Sequence, residues 1–107
     1  MARPQKTGLE YKPQFHTFEN AKSRGGKHLK RYLRNSSSAY IKKKAVREFV
    51  LKRDNYTCTL CGSKSNLQID HIIPVYQATI ENIYEINCVN NLRTICNSCN
   101  ARRVPNG

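Results

Sequence analysis

At 107 residues the chain has room for one domain, or for a small domain and an arm, and a chain of this length buries only roughly 60–65% of its unfolded surface. No apolar run approaches the roughly 20 residues that span a bilayer, and the charged residues 1–6 are followed by no apolar segment, so neither a membrane-spanning helix nor a signal peptide is expected. The net charge of +12 is concentrated in residues 1–50, with 13 Lys/Arg against 3 Asp/Glu, a field that suits nucleic acid better than an acidic membrane without a lipidation motif.

In chain order, residues 1–37 are polar and basic, broken by Pro4, Pro13 and Gly25-Gly26, and read as a basic N-terminal arm. A short helix is expected around residues 27–34, with Leu29, Tyr32 and Leu33 on one side. The arm either lies along phosphates and orders on binding or is a solvated tail with docked aromatics. Ser36-Ser37-Ser38 reads as a hinge and helix cap, followed by a helix over residues 38–53 whose Ile41, Ala45, Val46, Phe49 and Val50 share a face. Lys42, Lys43, Lys44, Arg47 and Lys52 form its basic outer side, available to phosphates or simply solvated. Lysines in a first helical turn oppose the helix dipole.

Residues 56–62, Tyr-Thr-Cys-Thr-Leu-Cys-Gly, read as a metal knuckle, since Gly62 permits the tight turn and leaves backbone N–H groups for the sulfurs. A second Cys-x-x-Cys pair, Cys96 and Cys99, completes a four-thiolate set suited to a tetrahedral structural Zn²⁺. Four of the five cysteines in such spacing fit a reducing compartment, hence a soluble, cytoplasmic protein. Cys88, the odd one, reads as a semi-buried filler, and His16 and His28 as surface residues of the arm. Tyr56 is expected in the core, with Tyr11, Tyr32 and Tyr40 available to stack on bases.

Residues 67–72 alternate as a half-buried strand does, until Ile73-Pro74 stops it. Residues 75–90 form an irregular connector with a helical turn near residues 80–86. Residues 92–95 return as a strand, and residues 97–103 begin a short helix. The domain over 38–107 is therefore small α+β: strand, long loop, strand, helix, with zinc at its base. Closing the cysteine cage carries Asn100 toward Asp70 and His71.

Three stretches together resemble the HNH endonuclease family: Arg53-Asp54-Asn55-Tyr56-Thr57-Cys58 through Cys61-Gly62, Asp70-His71-Ile72-Ile73-Pro74, and Asn91-Leu92 leading to Cys96, Cys99 and Asn100. The resemblance covers residues 45–104. It implies a ββα-metal fold, with His71 as general base, Asp70 as metal ligand and Asn91 pinning the interstrand loop. Asn100 stands where the family's final His falls, making an HNN variant with Asn100 as the second ligand. The cysteines correspond to the structural zinc of some members.

So read, the chain is a metal-dependent endonuclease acting on double-stranded DNA, singly or as a homodimer, in a setting such as phage packaging, homing or mobile-element nicking. The oxygen donors of Asp70 and Asn100 suit Mg²⁺ or Mn²⁺. Arg93, Arg102, Arg103, Lys43, Lys44 and Arg47 are the candidate phosphate contacts. The alternative is a non-catalytic zinc-ribbon module that binds nucleic acid with the same cysteines and arm.

Overall fold

Two five-residue segments carrying apolar residues bury them by pairing, and a two-stranded ribbon needs further packing to persist. In a computed structural model of the chain, which describes residues 9–102, they form β1 (Leu67–His71) and β2 (Leu92–Cys96). The strands are antiparallel, with Leu67 opposite Cys96, Asp70 opposite Arg93 and His71 opposite Leu92. Single 3-10 turns at Val75–Gln77 and Val89–Asn91 and a helical turn, Ile83–Ile86, punctuate the connector. A short helix, Asn97–Arg102, follows β2 directly. The expected small α+β order, strand–loop–strand–helix, is the observed one.

Before the ribbon come α1 (Phe15–Arg24), α2 (Gly26–Lys42) and α3 (Lys44–Arg53). Continuing the numbering, Ile83–Ile86 is α4 and Asn97–Arg102 is α5. Gly25 joins α1 to α2 with φ +62°, where a side chain would be strained, and its N–H closes on Ala21 O at 2.9 Å. Among the described residues no helix is long and apolar enough to cross a membrane.

The expected hinge at Ser36–Ser38 lies inside α2. Ser36 and Ser37 spend their hydroxyls on tertiary partners, Tyr11 and Asn87, instead of capping a helix. The expected helix over 38–53 is broken at Lys43, which is extended at φ −63°, ψ 132°. Leu33, Ser37 and Tyr40 form one buried stripe on α2, whereas Val46 and Val50 lie roughly 110–150° away from its centre at about 100° per residue. One straight helix would therefore aim the two stripes apart, and the break at Lys43 turns both to the same core. The consequence for the expected face is that Val46 and Val50 are fully buried while Ala45 and Phe49 are exposed.

The core joins Tyr11, Phe18, Leu33 and Tyr40 to Val46, Val50, Ile69, Ile83 and Leu92. Residues 11–33 thus supply three members of the core, at about 1.5–3 kcal/mol for each large apolar side chain. Phe18 stacks on Tyr32 with ring centroids 5.7 Å apart, so α1 and α2 close as a helical hairpin. Tyr11 and Tyr40 are buried against each other and are not surfaces for bases, while Tyr56, expected in the core, is 53% exposed.

The outer edge of β2 is closed by the end of α3. Arg53 donates to Val89 O at 2.9 Å and Leu92 O at 2.6 Å, and its fork also holds Asp54. Asp54 Oδ2 accepts from the Thr94 N–H at 2.9 Å. Burial alone would raise the Asp54 pKa, but Arg53 and Thr94 outweigh it and hold the carboxyl below its usual range. Thr59 donates to Thr94 O from both its N–H and its hydroxyl, so the knuckle covers the rest of that edge.

Candidate active site

At one end of the ribbon the four cysteine sulfurs lie within 4.8 Å of one another. A tetrahedral ion with metal–sulfur bonds of about 2.3 Å sets sulfurs about 3.8 Å apart. Cys58 and Cys99 stand at 3.7 Å and Cys61 and Cys96 at 3.6 Å, so the set could hold a metal ion such as zinc. Gly62, at φ +84°, closes the first knuckle by donating to Cys58 O. The N–H groups of Leu60 and Cys61 reach Cys58 Sγ at 3.4 Å, and the N–H of Cys99 reaches Cys96 Sγ at 3.4 Å.

These donors act on charge. Burial pushes the Cys58 thiol up, but the backbone N–H groups outweigh it and hold it at about 6. The Cys99 N–H likewise holds Cys96 below its ordinary value. Cys99 itself is pushed up to about 12 by burial and by the neighbouring thiols. Sulfurs this close cannot all ionise without a cation among them, and a bound cation would draw off the remaining protons.

At the other end of β1, Asp70 and His71 leave the strand toward different partners, as successive strand residues do. Asp70 meets Arg93, directly across the ribbon, through Nε at 2.9 Å from Oδ2. His71 is 5% exposed, and its Nε2 stands 3.0 Å from Asn87 Oδ1. An amide oxygen only accepts, so this arrangement favours the tautomer with the ring hydrogen on Nε2. Burial lowers the His71 pKa from 6.5 against the opposing effect of the Asn87 bond, and the ring is neutral at pH 7.

Asn91 ties down the loop that leaves His71. Its Oδ1 accepts from Ile73 N at 2.8 Å, and its Nδ2 donates to Ile73 O at 3.2 Å and Ile86 O at 2.9 Å. Asn100, in α5, donates from Nδ2 to Gln68 Oε1 at 2.7 Å.

Asp70, His71 and Asn100 border a single cleft of about 860 Å³. The cleft is also lined by Ile41 and by four basic residues of α2, Lys27, Lys30, Arg31 and Arg34. These four fall at i, i+3, i+4 and i+7, one helical face. Their spacing was visible in the sequence, but residues 1–37 read there as an arm and not as a wall of the site.

The other expected phosphate contacts lie elsewhere. Lys43, Lys44 and Arg47 are exposed at the start of α3, outside this cleft. Arg93 is committed to Asp70, and Arg102 reaches Cys99 Sγ at 3.8 Å. Both line a smaller depression beside the cysteines. Arg103 is outside the described residues. Sequence reading gave Asn87 no role and took Ser37 only for part of a hinge, because a loop Asn and a helix Ser carry no periodic signal of a tertiary partner.

Residues 58–104 match the HNH endonuclease family. Over 75 residues the chain is 35% identical to a protein of Lactococcus phage SK1 named a probable HNH endonuclease, a match covering 64% of this chain and 77% of the phage protein. No solved structure shows a significant match. With the Asp-His pair, Asn91, Asn100 and the cysteine set all inside the matched span, the chain belongs to the HNH endonuclease family.

Proposed function

We propose that this chain is a metal-dependent endonuclease that hydrolyses phosphodiester bonds of double-stranded DNA, with His71 as general base. One observation carries the reading: Asp70, His71 and Asn100, from β1 and α5, border one cleft with the cationic face of α2. Duplex DNA carries a charge about every 1.7 Å of its axis, and a wall of four cations holds its phosphates against the site. The four cysteines hold a structural Zn²⁺, which keeps α5, and with it Asn100, beside β1.

His71 is neutral at pH 7, as a base that takes a proton from water must be. Asn91 holds the backbone two residues beyond it and so limits where the ring can sit. Asp70 and Asn100 present oxygen donors, a set that fits a hard divalent cation such as Mg²⁺ or Mn²⁺ better than a thiophilic one. Such an ion, when bound, supplies Lewis-acid stabilisation of the scissile phosphate and the departing 3′ oxygen. Arg93 keeps the Asp70 carboxylate oriented and balances its charge. One such site cuts one strand per event, so a double-strand break requires a dimer or two successive nicks.

A DNA-binding module without catalysis is the second reading, favoured by the contacts that Arg93 and Gln68 already make with Asp70 and Asn100. Supercoiled plasmid with Mg²⁺ or Mn²⁺ decides between them. The endonuclease nicks it, chelator stops the reaction, and His71→Ala binds DNA without cutting. Equal cutting by His71→Ala would remove His71 from the mechanism.

A further inference from the structure

Ser37, Asn87 and His71 form a buried chain of side chains linking α2 to the end of β1. Asn87 Nδ2 donates to Ser37 Oγ at 3.0 Å, and Asn87 Oδ1 faces His71 Nε2 at 3.0 Å. Exposures of 0% for Ser37, 2% for Asn87 and 5% for His71 leave bulk water little access to these contacts. Ser37 lies outside the matched family span. We infer that Asn87, held in turn by Ser37, is the positioning residue for His71: it fixes the ring's rotation and its Nε2–H tautomer, so that Nδ1 bears the lone pair.

An imidazole has two near-equivalent tautomers, and only the one with its lone pair toward the reacting water works as a base. A carbonyl oxygen on Nε2 selects one of them, because the other would set two lone pairs against each other where bulk water has little access. The amide reversed end for end would select the opposite tautomer. Asn87 follows the single turn α4, and a short turn on an irregular connector does not hold a side chain by itself. Ser37, fully buried on the 17-residue α2, is the rigid anchor. The helix whose outer face lines the cleft thus also aligns the base through its inner face.

The inference rests on His71 acting as base only where rates are concerned; the tautomer is measured without activity. Long-range ¹H–¹⁵N spectra of the full-length protein should show His71 as Nε2–H. In Asn87→Leu, similar in shape but without an acceptor, the tautomers should mix and kcat for plasmid nicking should fall at least about 100-fold, with KM within about twofold. Asn87→Asp keeps the acceptor and should retain the tautomer and most of the rate. Ser37→Ala should give mixed tautomers and a loss of several-fold in kcat.

An Nδ1–H ring in the unmodified protein overturns the inference, as does a folded Asn87→Leu with the native tautomer and kcat. Should Asn87→Leu fail to fold, Ser37→Ala decides, and native behaviour there overturns the role. The expected tautomer pattern in a protein that never cuts DNA would leave the positioning intact and sink the endonuclease reading instead.

Discussion

Asp70 and Arg93 face each other across the β1–β2 ladder, joined at 2.9 Å, with the carboxylate side chain 8% exposed and the guanidinium 25%. Removing the cation leaves a nearly buried charge with its main counter-charge gone. Partial exposure of Arg93 brings the cost below the value for a fully buried pair, to about 1–2 kcal/mol. Arg93→Gln should lower the urea midpoint by that amount with an unchanged m value, and Asp70→Asn in the same chain should recover part of it. No shift in the midpoint would mean that solvent already screens the pair.

The cysteine site should hold about one zinc per chain. Chelation should abolish cooperative unfolding, because the second core cluster consists of Cys58, Ile95, Cys96 and Cys99 with Leu67 packed on it. Cys96→Ser should bind zinc poorly and lose its near-UV signal, while Cys88→Ser keeps the metal. Purified protein that is metal-free and still cooperatively folded would contradict the site.

Replacing Lys27, Lys30, Arg31 and Arg34 by Gln should flatten the salt dependence of DNA binding. Each phosphate contact contributes about 0.9 to the log–log slope, so the loss should reach up to about 3.6. Lys43→Gln, Lys44→Gln and Arg47→Gln together should change it less, since they stand away from the cleft. Titrations in a His71→Ala background measure this without cleavage. A larger effect from the α3 trio would move the phosphate track off α2.

His71 sets a sign for pH dependence. Burial lowers its folded pKa below 6.5, so the unfolded chain binds a proton that the folded chain does not. This contribution to stability is full above about pH 6.5, falls as pH drops through the window down to the folded pKa, and levels off below it. Urea titrations at about pH 7.5 and 5.5 should show a larger loss for the native protein than for His71→Gln. The nicking rate should likewise persist below pH 6.5, where a solvated imidazole would already be charged. A loss centred above pH 6.5 would mean that the ring is not desolvated.

Much was legible in the sequence because it is local or periodic. Cys58/Cys61 and Cys96/Cys99 sit at knuckle spacing, the alternating stretch at 67–72 and the returning strand at 92–95 became β1 and β2, and Asn97–Arg102 followed as a helix. Those cysteines and strands also place Asp70, His71 and Asn100 near one another, since the helix that starts after Cys96 must pack back on the ribbon. The tertiary structure alone decided the rest. Lys43 is extended because two buried stripes on neighbouring helices must meet one core, and no residue near Lys43 encodes that demand. Residues read as an arm became α1 and α2 because a ribbon this small cannot cover itself, and Phe18 and Leu33 supply what it lacks. Ser37 finds Asn87 across 50 positions of chain, a hydrogen bond that depends only on where two surfaces come to rest.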